Sequence, residues 1–187
     1  MSPTVRVATG DLAGRRLTGA VRGTRPATAR MRDSIFNRPQ ILDLLPGRVL
    51  DCYAGAGFLG IEALSNGATW VDFVERNPAA CDVIRKNLSA LGLEASARVF
   101  TRPVEAVLPA LDMPYALVFA DPPYDLDATA PLIALLEAGA VANDGLLLWR
   151  YPVKRHGLEH PSPDRLGPLA RSEERRYGDG ALATYRY

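Results

Sequence analysis

Val49-Leu50-Asp51-Cys52-Tyr53-Ala54-Gly55-Ala56-Gly57-Phe58-Leu59-Gly60 is a short apolar run that turns through glycines into a helix over Leu59 to Ser65. Gly55, Gly57 and Gly60 keep the G-x-G-x-x-G spacing, and Glu75 closes the next apolar run 20 residues after Gly55. Glycines in such a turn let bare backbone approach a bound cofactor, and an acidic residue at the next strand end accepts hydrogen bonds from a ribose. An adenosine-containing cofactor follows. NAD and S-adenosylmethionine both satisfy the pattern.

Working outward, the chain alternates. Trp70 to Val74 is a strand and Pro78 to Leu91 a helix, with Pro at its first turn and Gly92 just past its last. Ala97 to Phe100 is a strand, Val104 to Leu111 a short helix, Ala116 to Ala120 a strand, Ala128 to Ala138 a helix and Leu146 to Trp149 a strand. Alternation of this kind predicts an α/β fold: a doubly wound, mainly parallel sheet covered on both faces. Residues 152–172 read as a loop, and Gly178-Asp179-Gly180 predicts a closing antiparallel hairpin. At the other end, Val5 to Thr9 and Leu12 to Val21 predict a small hairpin, followed by a helix from Thr28 that ends at Pro39 or at Pro46-Gly47. Two regions follow: residues 1–38 as a basic extension and 39–187 as the main domain.

At 187 residues, with 48% hydrophobic and 23% charged residues, the composition is that of one globular domain with a sizeable core. No apolar run is long enough to span a bilayer and the N-terminus lacks an apolar signal core, so a cytoplasmic protein with no membrane partner is expected. Cys52 and Cys81 stand in apolar surroundings and read as buried thiols. The net charge of +1 conceals an asymmetry: residues 1–38 hold eight arginines against Asp11 and Asp33, while 39–149 carry a net −8 and 150–187 a net +3. A basic arm of this kind suits a polyanion. Arg15, Arg16, Arg25, Arg30 and Arg32 are the candidate nucleic-acid contacts.

The tie between cofactors is broken by Asp121-Pro122-Pro123-Tyr124. Neither proline offers an N–H to a sheet, so the strand ends there, with a carboxylate, stiff carbonyls and a ring at its C-terminal edge. An exocyclic amine on a purine is a poor nucleophile because its lone pair is delocalised into the ring. Asp121 and the Pro122 carbonyl can accept its hydrogens and turn that pair toward an electrophile; Pro123 stiffens the peptide, and Tyr124 offers a stacking face for an extruded base. His156-Gly157-Leu158-Glu159-His160 matches a zinc-protease pattern, but Pro152, Gly157, Pro161 and Pro163 oppose the helix it needs, so no metal is expected. Cytosine C5 chemistry needs a Cys beside the base, and the prolines here precede Tyr124.

Asp51–Gly67, Glu75-Arg76-Asn77 and Phe119–Tyr124 resemble the RsmD family of bacterial S-adenosylmethionine-dependent 16S ribosomal RNA guanine-N2 methyltransferases. The likeness extends to both ends, in Arg6 to Leu17, in Arg25-Pro26 to Asn37 and in Arg176-Tyr177-Gly178-Asp179 to Tyr185. It implies a class I S-adenosylmethionine-dependent methyltransferase (Rossmann-like) sheet. It also implies S-adenosylmethionine as cofactor, held by Asp51, Ala54, Gly55, Gly57, Gly60, Glu75, Arg76, Asn77 and Arg102. The catalytic set is Asp121, Pro122, Pro123 and Tyr124, and the partner is 16S rRNA within the small ribosomal subunit. Arg102-Pro103 and Leu148-Trp149-Arg150-Tyr151 depart from the family's usual polar pair and acidic strand end. A DNA adenine-N6 methyltransferase, an NAD oxidoreductase and a non-catalytic RNA-binding module are the rival readings.

Overall fold

The structure is a computed structural model that describes residues 5–19, 29–155, 158–159 and 161–187. Strands β1 (Val5–Arg6) and β2 (Arg16–Leu17) form a small antiparallel pair, followed by α1 (Ala29–Phe36) and α2 (Pro39–Leu42). The helix expected from Thr28 thus ends at Phe36, because Pro39 disfavours a helical residue before it and opens a new turn instead.

Next come β3 (Arg48–Cys52), α3 (Phe58–Ser65), β4 (Trp70–Glu75), α4 (Pro78–Leu91), β5 (Ala97–Thr101) and β6 (Tyr115–Ala120). Between β5 and β6 the expected helix is two 3₁₀ turns, Val104–Ala106 and Leu108–Ala110. Pro109 lacks the N–H that a continuous helix would bond there. After α5 (Thr129–Glu137) the chain forms β7 (Val141–Pro152), the two-residue pair β8 (Lys154–Arg155) and β9 (Leu158–Glu159), then β10 (Arg165–Leu166), β11 (Leu169–Tyr177) and β12 (Gly180–Arg186).

One sheet runs β10-β11-β12-β7-β6-β3-β4-β5. Its pairs from β7 to β5 are parallel, and β12, β11 and β10 add antiparallel strands to the free edge of β7. Among the described residues this sheet has eight strands, and part of the stretch 152–172 expected as a loop pairs as β10 and the start of β11. Strand order reverses between β3 and β6, which opens a crevice beyond their C-terminal ends.

Both faces of the sheet are covered. On one, Leu146, Leu148, Phe119 and Val49 pack against Ile35 and Phe36 of α1 and Ile61 of α3; on the other, Leu147, Trp149, Val118 and Leu50 pack against Leu132 and Leu135 of α5. The Phe36 and Phe119 rings lie 5.8 Å apart, so α1 braces the strand that carries Asp121. Val7, Leu17, Met31 and Ile35 belong to this same core, so the described part of residues 1–38 is continuous with the main domain. Among the described residues, no helix is long and apolar enough to cross a membrane. Cys52 and Cys81 are buried free thiols, as expected.

Candidate active site

The C-terminal ends of β3, β4 and β6 open onto a cavity of about 720 Å³, within the range of small-molecule sites. Asp51, Ala54, Gly55, Glu75, Arg76, Asn77, Arg102 and all four residues Asp121 to Tyr124 line it. Gly57 and Gly60 do not. Gly57 caps α3 with φ 77° and packs on Ile84 and Phe73, and a Cβ on Gly60 would stand 2.3 Å from the Phe73 ring. These two glycines let α3 turn sharply and lie close on β4.

Along β3 and β4 the wall is built of carboxylates that hold backbone. Glu75 accepts the Gly55 N–H through Oε2 at 2.9 Å and the Asn77 N–H through Oε1 at 2.8 Å. Each oxygen keeps a second lone pair for a ligand hydroxyl. Gly55 is left-handed (φ 55°), and a Cβ there would meet no atom within 4 Å, so the turn leaves open space above its backbone. Asn77 caps α4 through Oδ1, which accepts the Ala79 N–H at 2.9 Å. Asp51 is buried and accepts the Gly60 N–H at 2.9 Å. Burial holds its carboxyl well above the ordinary range, the Gly60 N–H opposes this, and Asp121 and Glu75 reinforce it.

Along β6 and β7 the wall is built of side chains. The Asp121 N–H reaches the Cys52 carbonyl at 3.3 Å, which ties the ends of β6 and β3. Pro122 is buried and Pro123 exposed; the Pro123 carbonyl accepts the Leu126 N–H and closes the loop. Burial pushes the Asp121 carboxyl up to about 6, with Arg150 opposing. Arg150, from β7, donates to both Asp121 oxygens at 3.1 Å and to Tyr124 Oη at 3.1 Å. Gly180, the first residue of β12, leaves room for that hydroxyl: a Cβ there would lie 2.0 Å from Tyr124 Oη. Arg150, Gly180 and the cavity-lining Tyr53, held at φ 58°, were not among the anticipated residues. The unusual basic end of the fifth apolar run was the visible sign of Arg150.

The candidate RNA arginines separate. Arg15, Arg16 and Arg30 are exposed, Arg15 donating to the Ala90 carbonyl at 3.2 Å. Arg25 lies outside the described residues, as do His156, Gly157 and His160. Arg32 is a correction. It is 2% exposed, its Nε lies 3.1 Å from Glu62 Oε1, its Nη2 donates to the Arg6 carbonyl at 3.0 Å, and its guanidinium lies 5.2 Å from the Phe58 ring centroid. Glu62 also accepts the Ala8 and Thr9 N–H groups, at 2.7 and 3.1 Å. Arg32 thus fastens the N-terminal hairpin to α3 and offers no surface to phosphate. Among the described residues no cluster of His, Cys, Asp and Glu suits a metal ion.

The family described as conserved hypothetical protein 95, the RsmD family, matches residues 5–186. This chain belongs to the RsmD family. YlbH of Bacillus subtilis (strain 168) is 35% identical over 189 residues, 97% of this chain and 98% of that protein. Ribosomal RNA small subunit methyltransferase D of Escherichia coli (strain K12) is 34% identical over 157 residues, 82% of this chain and 77% of the relative. The solved structure of Escherichia coli YhhF superposes at a TM-score of 0.83 and 28% identity, covering 98% of this chain and 97% of that one. This RsmD-family member has the class I S-adenosylmethionine-dependent methyltransferase fold, and S-adenosylmethionine is its cofactor. The acidic cavity wall suits a cofactor that carries a sulfonium and an ammonium group, and the space above Gly55 suits its close approach.

Proposed function

We propose that this enzyme methylates the exocyclic N2 amine of a guanine in 16S rRNA of the small ribosomal subunit. One observation carries the reading: Asp121 to Tyr124 share a single cavity with Gly55 and Glu75, so an amine acceptor and a nucleoside-binding carboxylate face the same space. The name borne by the Escherichia coli relative directs the choice of small-subunit rRNA.

When bound against Gly55 and Glu75, S-adenosylmethionine would supply a methyl group on a cationic sulfur, an electrophile for the amine nitrogen. The chain's own residues do the rest. Glu75 accepts the ribose hydroxyls on the lone pairs that Gly55 and Asn77 leave open. Asp51, Ala54, Arg76, Asn77 and Arg102 shape the remaining cofactor wall. Asp121 and the Pro122 carbonyl accept the two amine hydrogens and so aim the nitrogen lone pair. The surplus proton passes to Asp121 or to water. Rate then comes from alignment and fixed dipoles, with no covalent enzyme intermediate. Residues 1–38 serve as the RNA-contacting extension, and exposed Arg15, Arg16 and Arg30 meet phosphates.

The test is transfer of radiolabelled methyl to small subunits from cells that lack the enzyme, with the product nucleoside identified. N2-methylguanosine in 16S rRNA is expected. N6-methyladenine, labelled DNA or an unlabelled subunit would each overturn the reading.

A further inference from the structure

The reading above leaves one group at the acceptor unused. Arg150 Nη1 stands 3.1 Å from both Oδ1 and Oδ2 of Asp121, so a single guanidinium nitrogen bisects the carboxylate. Nη2 reaches Tyr124 Oη at 3.1 Å, and the guanidinium carbon lies 5.2 Å from the Tyr124 ring centroid. Both ionic side chains are nearly out of water, 11% and 14% exposed. We propose that Arg150 is the positioning residue of this active site: it keeps Asp121 an ionised acceptor and locks the Tyr124 ring beside it. The proposal rests on the guanine-N2 reading for its catalytic consequence.

The geometry permits this role without blocking substrate. A nitrogen on the carboxylate bisector uses one lone pair of each oxygen and leaves the outer pair of each for an amine N–H. The guanidinium is planar and rigid, so one side chain sets the orientation of two others. Its charge matters as well. A protonated Asp121 would present a hydrogen to the amine instead of accepting one. The groups around it are Arg150 on β7, Tyr124 on its own loop and Asp51 at the end of β3, with Glu75 beyond Asp51 and Asp179 beyond Tyr124. Burial already pushes Asp121 to about 6 with Arg150 in place. A cation at this range lowers a carboxyl by about 1–3 pH units, so its removal would move the titration upward by a comparable amount. Since transfer requires the carboxylate, activity is full above that point and is lost as pH falls through it.

Two readouts test the role: single-turnover transfer to small subunits from pH 5 to 9, and ¹³C NMR titration of the Asp121 carboxyl without RNA. Arg150→Met should shift both midpoints alkaline, cut transfer about tenfold at pH 7 and recover much of it at pH 9. Arg150→Lys, which keeps the charge but loses the fork, should hold both midpoints near the wild-type value while transfer falls severalfold. Unmoved midpoints in Arg150→Met, or faster transfer at pH 7, would overturn the proposal. If Arg150→Met does not fold, an unchanged rate in Arg150→Lys overturns it alone. If the wild-type enzyme labels no subunit, the guanine reading falls, while the NMR titration still decides the hold of Arg150 on Asp121.

Discussion

The two walls of the cavity are made by different means. Along β3 and β4 the bonds are between carboxylates and backbone: Gly60 to Asp51, nine residues apart, and Gly55 and Asn77 to Glu75, 20 and two residues apart. Along β6 and β7 they are between side chains: Asp121 and Tyr124 meet Arg150, 29 and 26 residues on, and Tyr124 rests on Gly180 from the last strand. The first wall is a motif that shapes itself wherever strand, turn and helix follow in that order. The second exists only once a parallel sheet and an antiparallel hairpin have packed edge to edge. Cofactor binding and acceptor chemistry should therefore be separable by mutation.

Asp121→Ala gives the largest expected effect. Transfer should fall at least about a hundredfold, the scale of losing one placed transition-state partner, while cofactor affinity measured by calorimetry stays within about twofold. A comparable fall in affinity would mean that the walls are one unit. Glu75→Ala reverses the signature. Losing hydrogen bonds to a charged group costs about 1.5–3 kcal/mol, so cofactor Kd should rise about 10- to 100-fold, with transfer at saturating cofactor largely retained.

Gly180→Ala probes the second wall from behind. The new methyl displaces Tyr124, whose Oη would otherwise lie 2.0 Å away. An overpacking cost of about 1 kcal/mol corresponds to roughly a fivefold loss in kcat/KM for RNA, with cofactor affinity untouched. A crystal structure of the variant with Tyr124 unmoved would remove the hairpin from the acceptor wall. The smallest effect is expected at Arg16→Ala and Arg30→Ala, both exposed and outside either wall. Each should weaken RNA binding severalfold and reduce the slope of log affinity against log salt by about 0.7. An unchanged slope would take them off the RNA path.

Where sequence reasoning worked, the signal was local. Pro78 and Gly92 bracket α4 because one lacks an N–H and the other accepts a left-handed cap, here at φ 72°. Where it failed, a local signal was outvoted. The eight-residue helix drawn through Pro109 became two 3₁₀ turns. The strand drawn over Leu146 to Trp149 runs from Val141 to Pro152, because Gly145 lets the chain continue past a shift in register against β6. Arg32 looked like one more exposed arginine in a basic run. Its burial follows from Glu62, 30 residues away, which needs a cation once the N-terminal hairpin covers it.

Spacing along the chain was enough to read the glycine turn, the carboxylate that ends β4 and the strand stopped by Pro122 and Pro123, because each depends on backbone freedom within a few residues. Spacing could not show that Arg150 grips Asp121, that Gly180 lies against Tyr124 or that Arg32 faces inward. Those contacts come from the register of strands remote in the chain and from which charges are withdrawn from water together, and both are settled only when the sheet and its two covering layers assemble.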